Sequence, residues 1–370
     1  MDRWENTDHV IADGINTGLH SGAQIYISLQ NQTVYHQAFG EARPGEPMEL
    51  THRLCWLSSG KPVTAVAILQ LIECGRAELD ERVSDFLPEF ATHGKDTITL
   101  RHLLTHTGGF RTAEGASAAP SWNEIIRRLC QARLEKDWIP GRTAGYHYTS
   151  SWFILAEIVQ RISGTSFQAY VSDHIFLPLE HSDVTVQMTE EEYVTLGDRI
   201  APMFISEAGG LRPHPSLDSL GESLKCKPGS GFRGPVSALG HFYEMLLNDG
   251  MFHNRSILDP RSVSQMTRRQ RHGLFDETFK HTLDWGLGVI INDPHGRGDD
   301  MPYGFGRYAS AESFGHGGLQ SSVGMADPRH RLVVACIFNG QPGEEKHQKR
   351  IRALFDAIYR DIGIVSSPHL

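Results

Sequence analysis

The chain has little of what would mark a disulfide-stapled, membrane-spanning or nucleic-acid-binding protein. Its five cysteines, Cys55, Cys74, Cys130, Cys226 and Cys336, are odd in number, widely spaced and free of any Cys-x-x-Cys. That pattern excludes a disulfide framework and a zinc ribbon, and predicts buried thiols in a reducing compartment. No run of about 18 apolar residues occurs, so neither a transmembrane helix nor a membrane partner is expected. The opening residues 1–6 carry no apolar core of a signal peptide, and a cytoplasmic location is expected. Positive charge is also scarce: 35 Lys and Arg stand against 44 Asp and Glu, a net charge of −9. Nucleic acid is thereby excluded as the main partner, because phosphates need a basic face. The one basic cluster, Lys346 to Arg352, reads as the solvated face of a closing helix.

What is present is a helix-rich middle between two strand-rich ends. Trp4, Val10, Ile11, Ile15 and Leu19 form a helical stripe. Residues 23–29 and 33–39 read as strands, with the polar Gln30 to Gln32 as their turn. Helices are predicted after Ser58, from Thr99, over 122–134, 150–163 and 167–175, and from Pro235 to Leu247; residues 257–270 also read as helical. Residues 108–119 read as a mobile loop, and residues 184–234 as irregular chain. Strands are predicted over 285–291, 303–308, 313–316, 319–326 and 332–338. A last helix, 346–359, carries Ile351, Leu354, Phe355 and Ile358 on one face. The 370 residues suffice for two lobes. The expected fold is α+β, an antiparallel sheet flanked by the N- and C-terminal helices, plus an inserted, mostly helical lobe. Residues 1–60 and 280–370 are expected to form the α/β domain and 61–279 the helical one, with the active site between them.

The stretch 54–70 carries the chemistry. It reads as a strand end running into a buried helix, with Ser58 at the junction and Lys61 three residues on, on the same helical face. A serine hydroxyl becomes a nucleophile when an adjacent base takes its proton, and a lysine desolvated in an apolar pocket can be that base. The helix N-terminus adds donors for an oxyanion. Taken alone, the spacing also fits an ordinary first helical turn with an exposed lysine. Lys61 is, however, the one lysine with a serine three residues before it. His102 and His106 have the spacing of a helical metal pair, but no glutamate lies between them and no third ligand is evident, so no metal site is expected.

Three further elements line up with Ser58 and Lys61: Tyr146 in the loop after Pro140-Gly141, the run Leu100 to Gly109, and Phe314-Gly-His-Gly-Gly318 before a late strand. With Pro178-Leu179, their order and spacing resemble the serine β-lactamase and penicillin-binding-protein superfamily, in its class C β-lactamase-related esterase and acyltransferase branch. The resemblance runs from about residue 22 to 340. It implies that Ser58 becomes an acyl-enzyme, that Lys61 and Tyr146 form its proton relay, and that one of the two deprotonates Ser58. Tyr148 is the alternative to Tyr146. It also implies that His316 stands at the head of the motif flanking the site, that Gly317 and Gly318 keep side chains out of the substrate's path, and that the N–H groups of Ser58 and Leu319 form the oxyanion hole. Trp122, Tyr148, Trp152 and Phe232 are candidates for an aromatic pocket wall or for core. The family's Tyr-x-Asn is here Tyr146-His147-Tyr148, and its Lys-Thr-Gly lysine is His316, at most partly charged at neutral pH. These departures point away from β-lactams and toward acyl transfer on another small-molecule ester or amide. The resemblance implies a cofactor-free hydrolase or acyltransferase. A biosynthetic transacylase of secondary metabolism, passing the acyl group to an amine or alcohol, is the nearest alternative. A catalytically silent ligand-binding homologue is the other.

Overall fold

Ala23 pairs with Phe338 and Leu29 with Leu332, so the first strand of the chain lies beside its last long one. The computed structural model describes residues 3–293 and 301–364. Its main sheet contains β1 (Gly22–Leu29), β2 (Gln32–Arg43), β3 (Glu46–Pro47), β4 (Asp284–Trp285), β5 (Ile290–Ile291), β6 (Phe314–Gly317), β7 (Ser322–Asp327) and β8 (Leu332–Phe338). These eight strands run in the order β4-β5-β6-β7-β8-β1-β2-β3, with every neighbouring pair antiparallel. The β1–β2 hairpin closes through Gln30 and Asn31, both at positive φ, as a two-residue turn matching strand twist requires.

The sheet is covered on both faces. Along β8, Val333, Ala335 and Ile337 join the larger apolar cluster shared with the middle helices. Leu332, Val334, Cys336 and Phe338 alternate with them and join the cluster that includes Ile351, Leu354, Phe355 and Ile358. A strand buried along its whole length reads as a continuous apolar run, and β8 does.

The helices that matter for the site are α1 (Glu5–Asn16), α2 (Lys61–Glu73), α3 (Leu100–Leu104), α4 (Trp122–Gln131), α5 (Ser150–Ser163), α6 (Val236–Leu247) and α7 (Glu344–Asp361). The two terminal helices are tied by Thr7, whose N–H and hydroxyl donate to Asp361 at 2.8 and 2.6 Å. Helix α2 is buried on almost every side, as its all-round apolar sequence dictates. Helix α6 lies tight against the sheet: a Cβ on Gly240 would stand 2.2 Å from the Tyr26 ring.

Several segments differ from expectation. Residues 285–291 are two short strands joined by a turn, with Gly286 N–H donating to Val289 and Gly288 at φ +75°, not one strand. Residues 303–308 form no strand, because Tyr303 and Gly306 both take positive φ. The segment 184–234 contains a hairpin, Phe204–Glu207 with Gly210–Pro213, beside Gly340–Gln341. Residues 111–118 form a 3-10 helix, not an open loop.

Candidate active site

Ser58 sits in a 3-10 turn, Leu57–Gly60, that leads directly into α2. Leu57 before it is held at φ +50°, a conformation that costs energy for a branched side chain. Its surroundings impose it. The Trp56 indole N–H donates to Gly234 O at 3.1 Å, and the Ser59 hydroxyl donates to His316 O at 3.0 Å. The turn is thereby fixed to the middle of the chain on one side and to β6 on the other.

The structure brings Lys61 to Ser58. The Lys61 Nζ lies 2.9 Å from Ser58 Oγ and 2.8 Å from the Gly229 carbonyl. Its side chain is fully buried, and Nζ stands 5.2 Å from the centre of the Tyr146 ring and 5.5 Å from that of Trp152. Carbonyl, hydroxyl and two aromatic faces replace the water that an ammonium would otherwise need.

Tyr146 is buried and anchored from behind. Its N–H donates to Asp276 at 3.0 Å and its carbonyl accepts from the Thr278 hydroxyl at 3.0 Å. Its ring lies 4.5 Å from that of His106 and 5.2 Å, edge-on, from that of Tyr148. Beneath it, the His147 N–H donates to His106 Nδ1 at 3.0 Å, while His147 Nε2 accepts from Gly109 N–H and its Nδ1 bonds Ser150. Burial pushes both imidazoles below their ordinary range, His147 to about 3.

His316 lies across from Tyr146, with ring centres 5.9 Å apart. Its Nδ1 donates to Gly317 O at 2.7 Å, which fixes the tautomer. Burial, helped by the Lys61 charge, lowers its pKa to about 3, so the ring is neutral. Leu319 follows in an exposed turn whose carbonyl accepts from Gln341 Nε2 at 2.9 Å. Among the described residues, neither the Ser58 nor the Leu319 N–H donates to a backbone acceptor in its turn. Ser58, Tyr146, Tyr148, His316 and Leu319 all line one cavity of about 470 Å³.

The Beta-lactamase family profile matches residues 7–358. The chain belongs to this family. It is 24% identical over 312 residues to Esterase/beta-lactamase LipL of Mycobacterium tuberculosis, covering 76% of this chain and 68% of that protein. It is 24% identical over 346 residues to Monacolin J acid methylbutanoyltransferase of Aspergillus terreus, covering 82% and 81%. In fold it resembles the structure of EstCE1, a hydrolase with promiscuous acyltransferase activity, with a TM-score of 0.81 at 20% identity, covering 96% of this chain and 98% of that one.

Three expectations within this β-lactamase frame need correction. Trp152 does not line the cavity: it is fully buried beneath Lys61, with its indole N–H donating to His147 O at 3.3 Å. Phe232 is likewise core, and Trp122 lies at a different depression. Gly318 is not a gap left for substrate, since a Cβ there would meet Ser322 Oγ at 2.2 Å and the Trp56 carbonyl at 2.5 Å. His106 lies beyond the end of α3, at φ +58°, so it and His102 are not a helical pair. No metal-holding group of three or more His, Cys, Asp or Glu occurs among the described residues.

Other cavity residues escaped the sequence. Phe279, Tyr303, Glu344, Gln348 and Arg352 are among those that line the rest of the wall. The basic cluster read as a solvated helix face therefore contributes two of them. Tyr303 donates its hydroxyl to Glu344 at 2.9 Å and its N–H to Gln348 at 2.9 Å. A signal was there: Glu344, Gln348 and Arg352 recur every four residues, one polar stripe along α7.

Proposed function

We propose that the protein is a cofactor-free serine acyl-transfer enzyme acting on a small-molecule ester or amide. Ser58 Oγ attacks the substrate carbonyl and loses its proton to the Lys61–Tyr146 pair. The new Oγ–C bond replaces the bond to the leaving alcohol or amine, which departs with that proton. The N–H groups of Ser58 and Leu319 receive the transient oxyanion. Water, or an amine or alcohol acceptor, then takes the acyl group from Ser58. The observation that carries this reading is the 2.9 Å contact between Lys61 Nζ and Ser58 Oγ, in a lysine with no solvent access, at a cavity that Ser58 lines. The proposal includes a cleft between an α/β lobe and a helical lobe. It also includes a cytoplasmic, reducing setting, which five free thiols support.

Transfer to an acceptor, rather than hydrolysis, is the second reading. Tyr146, Tyr148 and Phe279 favour it, since aromatic walls limit water beside the acyl-enzyme. A relative named as a methylbutanoyltransferase points the same way.

A fluorophosphonate followed by peptide mass spectrometry tests the first step. The expected result is one adduct, on Ser58, lost in Ser58→Ala. No adduct there would leave only a silent binding homologue. Ester turnover with and without an added amine or alcohol then separates transfer from hydrolysis by whether the acceptor is found in the product.

A further inference from the structure

Among the described residues, the side chains of the cavity wall formed by β6 and the start of α7 mostly accept hydrogen bonds. His316 Nδ1 gives its proton to Gly317 O at 2.7 Å. Its Nε2 has no hydrogen-bond partner among the described residues, although the side chain is 2% exposed and lines the cavity. With the proton on Nδ1, Nε2 carries a lone pair. The Tyr303 hydroxyl is spent on Glu344, so its oxygen too can only accept. Both Glu344 carboxylate oxygens lie 2.9 Å from that hydroxyl, and both keep spare lone pairs. Glu345 beside it is paired with Lys349 at 2.7 Å. Among the described residues, the one cationic side chain in the lining is Arg352, eight residues further along α7 and about 12 Å away along the helix axis. The Glu344 end of α7 is tied to the turn that carries Leu319, with Gly343 N–H donating to Gln320 Oε1 at 2.7 Å.

We propose that the substrate presents a protonated amine to this wall. His316 Nε2 and the Glu344 carboxylate accept its hydrogen bonds, and a carboxylate in the same place is repelled by both. This rests on the acyl-Ser58 reading and narrows it to amino-bearing esters or amides. Glu344 and His316 are then specificity-determining residues.

The test compares kcat/KM for nitrophenyl esters of aminohexanoate, heptanoate and monoadipate, acyl chains of similar length that end in an ammonium, a methyl and a carboxylate. Hydrogen bonds to charged groups place the expected advantage of the amino ester over the adipate ester at about tenfold or more. In Glu344→Gln the ratio of amino ester to heptanoate ester is expected to fall about fivefold, the scale of one partly exposed ion pair. His316→Lys is expected to turn the preference toward the adipate ester. Equal kcat/KM for all three esters, or a wild-type preference for adipate, overturns the proposal even if the second variant fails to fold. Calorimetric binding of hexylammonium and hexanoate reads the same wall without chemistry. If Ser58 takes no fluorophosphonate, the acyl-enzyme reading falls, and tighter binding of hexanoate than of hexylammonium still overturns this one.

Discussion

Asp276 accepts the backbone N–H of Tyr146 at 3.0 Å across 130 residues of sequence. The same oxygen takes the N–H groups of Thr278 and Phe279 at 2.9 and 3.0 Å, while the other is paired with Arg271 at 2.8 Å. Both side chains are buried, at 1% and 0% exposure. Arg271 also donates to Thr105 O at 3.1 Å. One ion pair therefore fastens three loops behind Tyr146, which lines the same cavity as Ser58.

Removing one partner of such a pair strands the other charge. Asp276→Ala is expected to cost about 3–5 kcal/mol of stability, read from urea unfolding. Asp276→Asn keeps an acceptor for the Tyr146 N–H and is expected to cost less. An unchanged unfolding midpoint in Asp276→Ala would show that the pair does not hold this loop.

Lys61 separates stability from activity. Substitution by Met removes a fully buried amine and fills similar volume, which favours folding, but leaves Gly229 O without its donor. The two effects oppose, and the expected net change is within about 1 kcal/mol. Ester turnover is expected to fall by about 10²–10⁴, the usual worth of a positioned proton acceptor. Thermal melting and a nitrophenyl ester assay check both halves. Full activity in Lys61→Met would remove this residue from the relay.

What was legible in the sequence was local. The Ser58–Lys61 relation spans one helical turn, so spacing alone carried it. The alternation of β1, the apolar run of β8 and the stripe of α7 are likewise set by neighbours within a few residues. The eight-stranded sheet followed because both ends of the chain read as strand. What stayed hidden depends on distant chain. Nothing near Tyr146 announces Asp276, and nothing near Tyr303 announces Glu344. Trp152 stayed open between pocket wall and core because α5 is buried on nearly every side along its first nine residues, which leaves no polar face to say which way the indole turns. His106 was misread because helical spacing was carried past Leu104, where the backbone has already turned to positive φ.

Acid is expected to weaken the fold through histidines kept neutral. His147 and His316 are fully buried, with pKa values lowered from 6.5 to about 3. The unfolded chain therefore binds more protons than the native one at pH values between these limits. Their contribution is complete above pH 6.5 and is lost as pH falls toward 3. The expected slope is roughly 1.4 kcal/mol per pH unit for each histidine. Urea unfolding at several pH values between neutrality and the carboxylate range measures it. His147→Asn is expected to shed one histidine's share of the slope, and an unchanged slope would mean that this ring is hydrated or charged in the native state.

Gly318 and Gly317 differ in what a methyl group would strike. At Gly318 it meets Ser322 Oγ at 2.2 Å and the backbone carbonyl of Trp56 at 2.5 Å, and that carbonyl belongs to the segment carrying Ser58. At Gly317 it meets the Tyr303 ring at 2.3 Å, a side chain on a half-buried loop. Backbone yields less readily than a ring, so Gly318→Ala is expected to be the more destabilising, by about 1–3 kcal/mol, the usual cost of overpacking. It should also lower kcat for the uncharged heptanoate ester, because displacing the Gly318 backbone displaces the adjoining Leu319 N–H, the proposed oxyanion donor. Gly317→Ala should act instead on the Tyr303–Glu344 wall and change the ranking of the amino and heptanoate esters. If both variants lowered kcat alike without altering that ranking, the two glycines would serve the strand rather than two different edges of the cavity.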